Sequence, residues 1–288
     1  MMLAILNFWG SEPTERRQNP CKIALSIARL AVFLTLLTPV GAAFAQDGSI
    51  STSASNYTVF ARRAEQAFQT ARTRFQDSTN DAEAEWQFGR ACFDWAEFAT
   101  SKAQRAQIAQ QGIAACRALL IRDTNSAPGH YYLAMNLGEL AETKGIGAFR
   151  LISEMEAEFK TASRLDPHLD YAGPDRSLGM LYHEAPGWPA SIGSKAKARQ
   201  HLLKAAELAP NYPDNLLTLI EAELDWGNHK AAQHELSQLE ELWPAAQKQF
   251  AGPQWESLQA QWQARLNTIR KRLSGGSRKS TESPRDKE

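Results

Sequence analysis

An all-α fold of stacked helix pairs is predicted by three observations. Apolar residues recur at steps of three and four along most of the chain. Small residues return at fixed offsets in successive stretches. Prolines punctuate those stretches, and Pro210 and Pro244 are 34 residues apart. β-branched alternation is almost absent, while Ala, Leu, Glu, Gln and Lys dominate. About ten helices and no sheet are expected.

The first 45 residues read as an address. Arg16, Arg17, Lys22 and Arg29 precede an apolar run at 30–40 (LAVFLTLLTPV), followed by Ala43-Phe44-Ala45. Charged region, apolar run and small-residue site make a secretory signal peptide over 1–45. An uncleaved anchor is the alternative, although Pro39 and Gly41 interrupt a stretch already short for a bilayer. Cys21 precedes the apolar run, so it is not a lipoprotein cysteine. The remaining 243 residues carry 28 basic and 30 acidic side chains. Without a basic excess, a nucleic-acid footprint is not expected. Ordinary apolar content excludes disorder as the main state. A periplasmic location is expected.

A single helical domain over 46–273 follows. Tyr57, Phe60, Ala61, Ala64, Ala67, Phe68, Ala71 and Phe75 mark one face of a first amphipathic helix. A unit begun at Pro213 then has Leu219 seventh, Gly227 fifteenth, Ala232 twentieth, Leu236 twenty-fourth, Leu239 twenty-seventh and Pro244 thirty-second. The preceding unit repeats the last offsets with Ala198, Leu202, Ala205 and Pro210, and the one before with Phe159, Ala162 and Pro167. Leu178-Gly179 and Tyr182 fit an L-G-x-x-Y pattern. A 34-residue period with these offsets is that of the tetratricopeptide repeat. Small residues let two helix axes approach to about 8–10 Å, and the larger neighbours fill the facing groove. Such a pair cannot cover its own apolar face, so pairs stack into a superhelix. About four pairs are expected over roughly 81–246, the second helices of the last three closed by Pro167, Pro210 and Pro244. A capping helix at about 252–273 carries Trp255, Leu258, Trp262, Leu266, Ile269 and Leu273. Residues 274–288 are expected to be disordered.

Chemistry is sparse. No nucleophile elbow is present, and the chain reads as non-enzymatic, with no cofactor and no metal. His229 and His234, five apart, do not share a helical face. The run from Gly187 to Lys195 has one residue too many for a phosphate loop and no strand before it, so Ser194 reads as a helix N-cap. Cys92 and Cys116 lie at similar distances from a turn near 102–104. They read either as a disulfide, worth about 3 kcal/mol, or as two small buried residues.

Three segments exceed the plain repeat: 142–150 (ETKGIGAFR), 183–194 (HEAPGWPASIGS) and 171–175 (YAGPD). Insertions in solenoids often map to the binding side. They bring Phe149, Arg150, Tyr171, Asp175, Arg176 and Trp188 to loop edges, with Tyr131, Tyr132 and Tyr182 on nearby helices. These nine residues are the candidates for a ligand or partner groove. The alternative is that Trp188 and the prolines fasten long loops to the repeats.

The strings at 89–98 (GRACFDWAEF), 112–117 (GIAACR), 126–133 (SAPGHYYL), 170–175 (DYAGPD) and 185–194 (APGWPASIGS) carry a family likeness. The chain resembles the tetratricopeptide T component of tripartite ATP-independent periplasmic (TRAP) transporters, over about 80–265. The resemblance implies a periplasmic, non-enzymatic partner of a solute-binding protein. It also implies a homo-oligomer, trimers being the typical arrangement, and a site for a small hydrophobic ligand. The missing lipobox departs from the lipoprotein members. The competing expectation is a generic cell-envelope scaffold that binds a peptide or protein on its concave face.

Overall fold

The computed structural model describes residues 50–78, 80–144 and 147–281. The expected leader at 1–45, Cys21 and the last seven residues lie outside the described residues. Among the described residues there are ten helices and no strand. They are α1 (Ile50–Asp77), α2 (Ala82–Ala96), α3 (Lys102–Arg122), α4 (Ala127–Thr143) and α5 (Ala148–Leu165). Then follow α6 (Gly173–Glu184), α7 (Lys195–Leu208), α8 (Pro213–Asp225), α9 (His229–Gln249) and α10 (Glu256–Thr281). The pairs α2/α3, α4/α5, α6/α7 and α8/α9 are the four expected repeats. Helices α1 and α10 flank them. No helix among the described residues is long and apolar enough to cross a membrane. The chain forms two compact units, one with residues 50–165 and 184–192, the other with residues 166–183 and 193–281.

Helix starts follow local chemistry. Ser101 accepts a hydrogen bond from the Gln104 backbone N–H at 3.1 Å, and Ser126 accepts one from Gly129 at 3.2 Å. Asp81 does the same for Glu83 at 3.0 Å. Each satisfies a donor that the first helical turn leaves unpaired. Ser194 caps α7, as its sequence position predicts.

In the N-terminal unit, Phe68 and Phe75 of α1 pack on Phe88 of α2, with ring centroids 5.7 and 5.0 Å apart. Gly89 of α2 faces the Cys116 sulfur of α3 so closely that a Cβ would overlap it. Gly112 of α3 meets the Asn136 amide of α4 in the same way. Asn136 donates to the carbonyls of Gly89 at 2.8 Å and Tyr132 at 2.7 Å. One buried amide thus ties α4 to the first pair at the point where both helices carry glycine.

In the C-terminal unit, Gly179 takes this role. A Cβ there would lie 2.5 Å from Leu202 Cγ. The signature positions Leu178, Tyr182, Ala198, Leu202, Ala205, Leu219, Ala232, Leu236 and Leu239 are all buried. Helix α10 lays Leu258, Trp262, Leu266 and Ile269 into the core made with α8 and α9, with Trp255 and Leu273 half-buried beside them. Tyr171, Tyr212, Phe250, Trp255 and Trp262 form one aromatic cluster, in which Tyr171 stacks on Tyr212 at 4.4 Å.

Three local expectations are corrected. Pro244 does not close α9, which continues to Gln249. A proline removes one backbone hydrogen bond, while the turn beyond it buries Ala246 and leads into buried Phe250. The nine extra residues at 142–150 are not one loop, because α4 runs to Thr143 and α5 starts at Ala148. Most of the added length is helix. At the C-terminus α10 continues to Thr281, so residues 274–281 are helical and not irregular. Once nucleated, a helix gains one hydrogen bond for each residue it adds.

Candidate partner-binding site

A groove of about 420 Å³ opens on the N-terminal unit between α3, α4 and α5. Its floor is Ile113, Leu137, Leu140 and Leu151. Gln110, Ala114 and Arg117 of α3 edge one side, and Arg150 and Glu154 of α5 edge the other. Residues 110, 113, 114 and 117 share one face of α3 because they are three and four apart. Arg117 pairs with Glu154 at 2.5 Å across the groove, with both side chains partly in solvent. Arg150 is exposed and forms no ion pair among the described residues.

The nine candidate residues divide sharply. Arg150 lies on this groove, with half-buried Phe149 next to it in sequence. Trp188 stands 87% exposed in the loop before α7. The structure corrects the assignment of five others, Tyr131, Tyr132, Asp175, Arg176 and Tyr182, which are buried. Tyr131 packs on Phe159 with centroids 6.0 Å apart, and Tyr132 stacks on Trp86 at 5.8 Å. Helix pairing turns these rings inward. Asp175 is fully buried and binds His201 Nδ1 at 2.8 Å and Lys204 Nζ at 2.9 Å, which joins α6 to α7. Arg176 donates to Asn215 at 2.9 Å and lies 3.5 Å from Asp214. Both are structural ties, since a buried charge is retained only where it is paired.

Tyr171 is half-buried in the aromatic cluster and sits in an unusual turn. Asp170, Tyr171 and Ala172 have φ of 50°, 54° and 62°. Left-handed backbone costs about 1–2 kcal/mol for each residue with a Cβ. The surroundings over-determine it. The Tyr171 carbonyl accepts from Asn215 at 3.1 Å and from Arg176 at 3.3 Å, and Gly173 N–H donates to Leu169 at 2.9 Å.

Of the two readings of Cys92 and Cys116, the structure has the second, two small buried residues. Both are free. Cys116 points at Gly89, one turn before Cys92, so the close helix approach that glycine permits holds the sulfur there. Burial raises the pKa of both thiols.

Three histidines pair with carboxylates: His130 with Glu158, His183 with Asp225 and His201 with Asp175. Among the described residues no group of three His, Cys, Asp or Glu is arranged to hold a metal ion. The groove residues Gln110, Ile113, Arg117, Leu137, Leu140 and Glu154 were not legible as a site. On a single helix each reads as ordinary surface or core.

A family model described as Regulator of microtubule dynamics protein 1-3 matches residues 53–171. No curated protein matches the chain. Among solved structures, TTC0263, a thermophilic TPR protein of Thermus thermophilus, is similar at 17% identity. That likeness covers 75% of this chain and 96% of the other, with a TM-score of 0.50. MamA matches at 14% identity over 72% of this chain and 99% of its own, with a TM-score of 0.45. Tom70 of yeast matches at 12% over 82% and 62%, with a TM-score of 0.31. The helix pairs, the buried signature positions and the likeness to TTC0263 give this chain a tetratricopeptide-like helical-repeat fold.

Proposed function

We propose that this chain is a non-enzymatic scaffold that binds protein partners in the cell envelope. Its particular role is that of the T component of a TRAP-type solute transport system, acting on a periplasmic solute-binding protein. The observation that carries the reading is where the family-like strings fall. Residues 126–133 make the capped start of α4. Residues 170–175 contain the left-handed turn. Residues 185–194 make the loop that presents Trp188. A plain repeat needs neither the turn nor the loop, so these strings support something more specific than generic stacking. The leader-like first 45 residues support export, with an uncleaved anchor as the other possibility. A homo-oligomer and a small hydrophobic ligand belong to the same proposal.

A broader scaffold role is the second reading. It is favoured by the family-model match over 53–171, whose description does not name transport. Native mass spectrometry after crosslinking in intact cells separates the two. Recovery of an exported solute-binding protein in a defined complex supports the transport reading. Recovery of envelope-assembly proteins alone overturns it and leaves the broader role.

A further inference from the structure

We propose that the groove between α3, α4 and α5 receives an amphipathic helix of a partner protein that carries a carboxylate beside its apolar stripe. The inference rests on the scaffold reading and adds the chemistry of the partner. The floor of Ile113, Leu137, Leu140 and Leu151 offers aliphatic contact without a polar group to satisfy. Gln110 to Arg117 spans about 10 Å of α3 at a rise of 1.5 Å per residue. That length matches two turns of a docked helix, whose apolar residues recur at i, i+3, i+4 and i+7.

Charge selects the partner. Two guanidiniums, Arg117 and Arg150, stand on the rim against one carboxylate, Glu154. Arg117 is 54% and Glu154 30% exposed, so their pair is weak and open to competition. Arg150 has no carboxylate partner among the described residues. A partner Asp or Glu above the groove completes Arg150 by a charge-assisted hydrogen bond. A partner Lys in that place meets like charge, which is how an interface rejects a wrong partner.

Two synthetic helical peptides test this. Both carry the same leucine stripe, and one has Glu where the other has Lys beside it. Binding to the mature protein is read by fluorescence anisotropy, and methyl NMR shifts locate it at Leu137, Leu140 and Leu151. The acidic peptide should bind about tenfold more tightly than the basic one. Arg150→Glu, at an exposed position, should keep native helicity and reverse that preference. Leu140→Ala should weaken both peptides alike. Equal binding of the two peptides, no response to Arg150→Glu, shifts elsewhere, or no binding would each overturn the proposal. Crosslinking in cells keeps the two readings apart. If wild type and Arg150→Glu capture the same partners equally, the groove assignment fails and the scaffold reading stands. If wild type captures no partner, the scaffold reading fails whatever the peptides do.

Discussion

Asp214 of α8 and Arg265 of α10 form a buried ion pair that fastens the last helix to the last repeat. Arg265 also donates to Glu221 at 2.8 and 2.9 Å and to Thr218 at 3.0 Å. Burial works against its charge, and Glu221 and Asp214 more than offset that. Removing one partner of a buried pair leaves the other uncompensated, at a cost of about 3–5 kcal/mol. Asp214 keeps Arg176 at 3.5 Å, so Arg265→Met should cost about 3 kcal/mol in urea unfolding. Adding Asp214→Asn should recover part of the loss. A loss under about 1 kcal/mol would mean that apolar packing alone holds α10.

Gly112 and Asn136 make a second test. Gly112→Ala places a methyl on the Asn136 amide and displaces its bonds to Gly89 and Tyr132. The expected cost is about 2–3 kcal/mol, that of leaving buried polar groups unsatisfied. In an Asn136→Ala background the same change should cost far less, because the three atoms nearest the methyl all belong to that amide. Additive losses in thermal unfolding of the four proteins would show that the crowding lies elsewhere.

Glu139 and Glu142 share Arg105 in the N-terminal unit. Burial raises the pKa of both above the ordinary 4.5, and for Glu142 the charge of Glu139 adds to it. Asp94 acts in the same direction on Glu139. A raised carboxyl pKa means that the folded protein holds more protons than the unfolded chain between the two values. Stability therefore falls as pH rises through that window. Glu142→Gln should become progressively more stable relative to wild type above pH 4.5, by up to about 1.4 kcal/mol per pH unit. Denaturation of both proteins from pH 4.5 to 8 measures the gap, and a constant gap would contradict the shift.

Cys92 and Cys116 should both titrate as thiols in denaturant without reductant. In the native protein they should react slowly with iodoacetamide, because they are buried and burial disfavours the thiolate. Loss of both thiols in protein from an oxidising compartment would show that the two are bonded there.

Trp188→Ala should change stability by less than about 0.5 kcal/mol, as an exposed side chain allows. It should reduce capture of a protein partner in crosslinking. A folding defect would mark Trp188 as a fastener of its loop, and unchanged capture would remove it from the interface.

The repeat architecture was legible because it rests on local rules. Leu178, Gly179, Tyr182, Ala198 and Leu202 recur at offsets set by the 3.6-residue turn, and their burial follows from that period. Ser126 and Ser194 announced helix starts through their own side chains. The candidate site was far less legible. Tyr131, Tyr182 and Asp175 look like recognition residues in a string of letters, yet a neighbouring helix covers each of them. Arg265 looks like a solvated charge on an amphipathic helix, yet it is buried between carboxylates. Sequence alone determined the helices, their pairing and the small residues at their crossings, because these depend on neighbours along the chain. Tertiary structure alone decided that Cys116 faces Gly89, that Arg150 and Trp188 remain in solvent, and that Ile113, Leu137 and Leu151 meet in one groove. Those outcomes depend on which residues distant in sequence arrive at the same place, and a helical period cannot encode that.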